Sequence, residues 1–159
     1  MHVRSLRYNR GMSRQLLVLL VGLSACGAKS PAPPAAPARP AAAPLYDRLG
    51  RTDGIRVVVD DFVAHIRQDD LIQARFANTD TVPFKQKLVE QICQASGGPC
   101  TYTGKSMREA HAGLKISDAE FTALVGDLKK ALEKNHVAED AQTELLTALG
   151  RMHDDIVGQ

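Results

Sequence analysis

From Leu45 onward the apolar residues recur at three- and four-residue steps, the spacing that gathers them on one face of an α-helix. Ile55, Val58, Val59, Phe62 and Ile66 make a first stripe, and Phe84, Leu88, Ile92 and Ala95 a second. Phe121, Leu124, Leu128 and Leu132 form a third, and Leu145, Leu149, Met152 and Ile156 a fourth. The chemistry of the ends agrees with this division. Pro83 suits the first turn of the second helix, and Gly97-Gly98-Pro99 stops it. Ser117 with Glu120 three positions on is a capping box that opens the third. No stretch alternates with period two for long enough to make a strand. The pattern predicts an all-α domain over residues 45–159.

Residues 100–116 interrupt the stripes. Ser106 and Glu109 offer another capping box, and Gly113 closes the turn behind it. One or two helical turns between loops are not stable alone, so the core must hold this stub in place.

Ahead of the domain the pattern changes twice. The first 14 residues carry Arg4, Arg7, Arg10 and Arg14 and no acid, and a mostly apolar run from Leu16 to Ala25 follows. Basic, then apolar, then small is the order of a secretory signal peptide, predicted here over residues 1–25. The run falls short of the roughly 20 apolar residues a spanning helix needs. Its end, Leu23-Ser24-Ala25-Cys26, resembles a bacterial lipobox, which implies diacylation of Cys26 and cleavage ahead of it. Buried acyl chains hold by about 0.8 kcal/mol per CH₂. Gly27 after the cysteine implies, in a two-membrane bacterium, the outer membrane. Residues 26–44 then read as the lipidated cysteine and a Pro/Ala-rich stalk of extended geometry. The expectation is an exported protein, lipid-anchored to a membrane and facing the periplasm.

Charge matters only after that leader is set aside. The chain has 20 Lys+Arg and 18 Asp+Glu; without the leader's four arginines the balance is 16 against 18, a net charge of −2. A mildly acidic domain with no basic cluster offers nucleic acid no footprint. Cys93 and Cys100 lie seven apart in what would be an oxidising compartment, where a disulfide persists. An unstrained loop of that size contributes about 2–3 kcal/mol. The alternative is two small buried thiols.

Spacing alone identifies no chemistry. There is no His-x-x-x-His pair, no Gly-rich phosphate loop and no nucleophile elbow. His65, His136 and His153 read as solvent-facing or capping residues. Only 4% of the chain is aromatic and it has no Trp, so the core is thin and a large apolar cofactor would help fill it.

A resemblance goes further. Leu45-Tyr46-Asp47-Arg48-Leu49-Gly50 resembles the opening of a group 1 truncated haemoglobin, and Val58-Val59-Asp60-Asp61-Phe62 that family's second helix. Gly97-Gly98-Pro99, Tyr102-Thr103-Gly104, Met107 and His111-x-Gly113 are similar to its segment through the proximal histidine. The similarity runs from Leu45 to about Val157. It implies a two-over-two helical sandwich around haem b, with His111 as the iron ligand and its other ring nitrogen donating to a backbone carbonyl. It places Phe76 on the haem face, Met107 against the His111 ring, and Ile116, Phe121 and Leu124 along the proximal wall. On the distal side Phe62 is followed by Val63 where the family has a tyrosine. Leu88 stands where it often has glutamine, with Phe84 one turn before. The resemblance therefore implies a dry, donor-poor pocket. A hydrogen bond to a charged group contributes about 1.5–3 kcal/mol, so its absence implies retention of O₂ weaker by about ten- to a hundredfold. Lys87 and Gln91 share the stripe of Phe84; in some relatives the position of Lys87 ligates iron, but pairing with a haem propionate or reaching to water is preferred here. The implied function is reversible binding of a diatomic gas (O₂, CO or NO), with an electron donor as a further partner. Alternatives are NO dioxygenase or peroxidase chemistry, and a haem-free helical adaptor.

Overall fold

The computed structural model describes residues 43–159. The predicted signal peptide, Cys26 and nearly all of the predicted stalk lie outside the described residues. Among the described residues every named element is helical: α1 (Leu45–Arg48), α2 (Arg51–Ile66), α3 (Thr81–Ala95), α4 (Met107–His111), α5 (Asp118–Lys134) and α6 (Glu139–Gly150). Short 3-10 turns cover Gln73–Phe76 and His153–Asp155.

The four long helices follow from the four stripes. The first buries Ile55, Val58, Val59, Phe62 and Ile66 on α2, together with Val63. α3 begins at its Asp80 cap, whose carboxylate accepts from the Val82 amide at 3.1 Å. α5 begins at the predicted capping box of Ser117 and Glu120. The most extensive contacts are α2 on α5 and α2 on α3, with α6 closing against α3 and α5. Two helix pairs, α2 with α3 and α5 with α6, thus lie over one another. This is the two-over-two arrangement, with Ile55, Ile66, Leu132 and Leu145 buried between the layers.

Three features depart from the pattern or add to it. The fourth stripe predicts one helix through Ile156, but α6 stops at Gly150 and the chain continues through the second 3-10 turn. Gly150 has weak helix propensity, and Ile156 is nonetheless buried from outside the helix. α1 is a single turn anchored by its surroundings, the Tyr46 amide donating to the Ser96 carbonyl at 3.1 Å. Cys93 and Cys100 are joined as a disulfide, with Cα atoms 5.7 Å apart. Gly98 lies inside the loop this bridge closes. A Cβ there would overlap both the Tyr46 ring and Cys93 Sγ, so only glycine fits.

Candidate functional site

The interruption between the second and third stripes becomes α4, five residues long, and none of its residues is buried. Its start is fully capped. Ser106 Oγ accepts from the Glu109 amide at 3.3 Å, and a Glu109 carboxylate oxygen accepts from the Ser106 amide at 3.1 Å. At its end, His111 Nδ1 lies 2.7 Å from the Met107 carbonyl oxygen. A carbonyl only accepts, so the ring donates from Nδ1. In the neutral ring this leaves Nε2 with its lone pair, the form that ligates a metal.

The core does not bury this stub; polar ties hold it on both sides. Upstream, Thr103 gives Glu90 of α3 two hydrogen bonds, from its amide at 3.1 Å and its hydroxyl at 2.7 Å. Lys87 Nζ reaches the same Glu90 oxygen at 3.0 Å and also contacts the Thr103 hydroxyl. The bonds from Thr103, and then from Lys87, hold the Glu90 carboxyl down at about 2. Downstream, Arg75 donates to the Leu114 carbonyl at 2.9 Å and to Glu120 at 2.7 Å. The Arg75 guanidinium, helped by Ser117, holds Glu120 at about 2 as well. Arg108 reaches Asp155 at 2.7 Å, and the Lys115 amide donates to the Gln159 carbonyl at 2.7 Å.

Between α4 and the long helices lies a cavity of about 680 Å³, mostly apolar in its lining. Phe62, Phe76, Phe84 and Leu88 border it, as do Met107, His111, Ile116, Phe121 and Leu124. The rings of Phe76 and Phe84 lie 5.4 Å apart. Lys87 also lines it, although its ammonium is engaged by Glu90 and Thr103. Val63 does not line the cavity, and its predicted place in the distal wall is corrected. Adjacent helical residues point about 100° apart, Phe62 takes the cavity-facing direction, and the short Val63 is buried among core residues.

The pattern also missed several lining residues. Met152 and Ile156 read as core stripe, yet both face the cavity. Gln91, which shares the stripe of Phe84, does face the cavity, and its amide nitrogen lies 3.2 Å from Met107 Sδ and 3.3 Å from Met152 Sδ. Ile72 and Arg75 come from the loop after α2, where no period could flag them. His153 stays 39% exposed at its side chain, as expected of a solvent-facing residue, and is also held by its neighbours. It meets Phe121 edge-on with centroids 4.9 Å apart and bonds Asp118 at 2.8 Å and Asp154 at 2.9 Å. Those carboxylates, Asp154 foremost, raise its affinity for a proton. A second recess of about 570 Å³, between α2 and α3, is lined by Arg56, Lys85, Asp60 and Glu90. Lys85 and Asp60 neutralise each other there at 2.7 Å.

A slot of this volume lies within the roughly 300–1,000 Å³ of cofactor sites. Residues 44–157 match the family model described as bacterial-like globin. The chain belongs to that family. This globin is 33% identical to a group 1 truncated hemoglobin of Mycolicibacterium paratuberculosis, over 72% of its own length and 84% of the relative's. It is 30% identical to that of Nostoc commune, over 72% of its length and 98% of the relative's. Its fold superposes on the truncated hemoglobin of Tetrahymena pyriformis in the Fe(III) form with a TM-score of 0.70. The identity is 25%, covering 72% of this chain and 98% of that one. The globin's cofactor is haem b, and the residues present fit it. An apolar slot walled by phenylalanines takes a flat macrocycle, and the His111 imidazole, bonded through Nδ1, has its far nitrogen left for iron.

Proposed function

We propose that this globin reversibly binds a diatomic gas at haem iron held by His111, on the periplasmic side of a membrane to which Cys26 is tethered by lipid. The observation that carries the gas-binding reading is the bond from His111 Nδ1 to the Met107 carbonyl, made at the edge of the apolar slot. Haem supplies the iron that takes a gas molecule; the chain sets the rest. Met107 and Phe121 pack the proximal side, while Phe62, Phe84 and Leu88 offer a ligand no donor. Lys105 and Lys87 border the slot and suit its carboxylate groups. Iron ligation by Lys87 is disfavoured, because the ammonium would have to leave Glu90 and Thr103 and lose its proton.

The wall predicts ligand preference. With no donor on Phe62, Phe84 or Leu88 to oppose release, O₂ dissociates quickly, and CO, which depends less on such a donor, is relatively favoured. The test is a visible spectrum of the full chain with haemin, before and after dithionite and CO. A sharp Soret shift that disappears in His111→Ala supports the reading; an unshifted spectrum in the native chain ends it. The lipid tether is checked separately by mass spectrometry of the mature N-terminus, where an unmodified Cys26 removes that part alone. The leader, the lipobox and the Pro/Ala stalk support it.

A further inference from the structure

The upstream ties of the stub start from one covalent bond. Cys93, on the last turn of α3, is wholly buried, and its disulfide to Cys100 returns the chain to α3 after the Gly97-Gly98-Pro99 turn. From Cys100 onward the chain is bound to the same helix almost residue by residue. The Tyr102 amide donates to the Gln94 side chain at 2.7 Å, and Thr103 makes its two bonds to Glu90. Tyr102, Gly104 and Lys105 then line the slot, and α4 with His111 follows at once. A Cβ at Gly104 would overlap the Tyr102 ring and its hydroxyl, so the glycine lets that ring lie against the strip.

These ties differ in kind. The bonds of Tyr102 and Thr103 are exposed to water, where each opens readily and adds little net stability. The disulfide does not open with them. It holds Cys100 against α3, so that a broken bond at Thr103 re-forms within a short tethered loop. Without it, residues 96–106 become one loop between the end of α3 and the stub, and the slot loses an ordered wall.

We propose that the Cys93–Cys100 disulfide is a positioning element for haem retention, so that this globin holds haem tightly only after its two thiols have been oxidised. The inference rests on the haem reading above. The chemistry is thiol–disulfide exchange with an oxidising dithiol/disulfide protein of the exported compartment. One S–S bond forms between Cys93 and Cys100, the partner's disulfide is reduced to two thiols, and two electrons and two protons pass to it. A chain still reduced would bind haem loosely, and oxidation would lock the wall behind it. Cys93 has no exposed surface, so a reductant reaches the bond only from the half-buried Cys100 side.

The experiment uses the full chain in three forms: oxidised, reduced with a phosphine and freed of it, and Cys93→Ser/Cys100→Ser. Thiol titration confirms each state. Each form is loaded with haemin, and its loss to an excess of apomyoglobin is timed. The oxidised form is expected to lose haemin about tenfold more slowly than the other two, the effect of about 1.4 kcal/mol of loop ordering. Helix content by circular dichroism should be the same in all three. Thr103→Val, with its bridge intact, should give an intermediate rate, because it removes the hydroxyl bond to Glu90 and leaves the amide bond and the bridge. Equal rates in all three forms would overturn the proposal. If no form binds haemin, the haem reading has failed. Amide exchange of residues 101–111 in the same chains then decides the positioning role: faster exchange without the bridge supports it, and unchanged exchange ends it.

Discussion

The paired long helices and the segment that carries His111 are built on opposite principles. α2 alone buries six side chains, and with α5 it forms the main interface of the domain. Between Thr101 and Ser117 no residue is buried at all. The helices persist because apolar area is removed from water. The stub persists because its start is capped and its flanks are tied to α3, to Arg75 and to the C-terminal residues. A ligand-bearing segment built this way can be ordered without being packed, which leaves the space beside it for a cofactor.

Four perturbations probe that contrast. His111→Ala should have the largest effect and touch only the site. Changes to partners outside a metal's own ligands cost about 10–100-fold in affinity, so removal of the ligand itself should exceed a hundredfold. Optical titration with haemin measures it, and an unchanged helix content in the apo chain shows that the scaffold does not depend on the stub. Leu132→Ala attacks the other region. Leu132 is fully buried, and such a truncation costs about 2–5 kcal/mol. Urea unfolding should show this loss, while the haemin spectrum stays native below the transition. A drop of less than about 1 kcal/mol would mean that the layers are not packed as described.

The next two effects are smaller. Leu88→Gln puts a donor into the apolar wall and should slow O₂ release by about tenfold, the equivalent of about 1.4 kcal/mol. Stopped-flow release is the readout, and no slowing would place Leu88 away from the ligand. Acid should act on the ties before the helices. Glu90 and Glu120 sit near 2, below their ordinary 4.5, so the stability they lend is complete above about 4.5 and lost as the pH falls toward 2. His153 has the opposite sign. Its raised proton affinity lends stability below about 6.5 that disappears as the pH rises through its folded value. Amide exchange across residues 101–117 against pH should loosen at the acid end in native chains. In Glu120→Gln the downstream flank should already be loose at neutral pH.

Much of this was legible in residue order. The stripe of Ile55 to Ile66 required a helix buried on one side, and Ser106 with Glu109 required a capped turn where no stripe existed. Phe62, Phe76, Phe84 and Leu88 all border the cavity, at the positions that the family resemblance implies. Val63 was misplaced for a plain reason: a neighbour's position in a family tells where a tyrosine would reach, and a valine is too short to follow it. Ile72, Arg75 and Tyr102 escaped because loops have no period.

By itself the amino-acid order determined the four long helices, the stop after α3, the capped stub and the histidine on it, since each depends on residues within a few positions of one another. Only the tertiary structure decided which of those residues share a cavity and which ties hold it open. Arg75 meets Leu114 and Glu120, and Gln91 meets Met107 and Met152, across separations in the chain that no local spacing records. Such contacts form only when packed helices bring distant segments together, and that is settled by the burial of the whole core rather than by any one stretch of it.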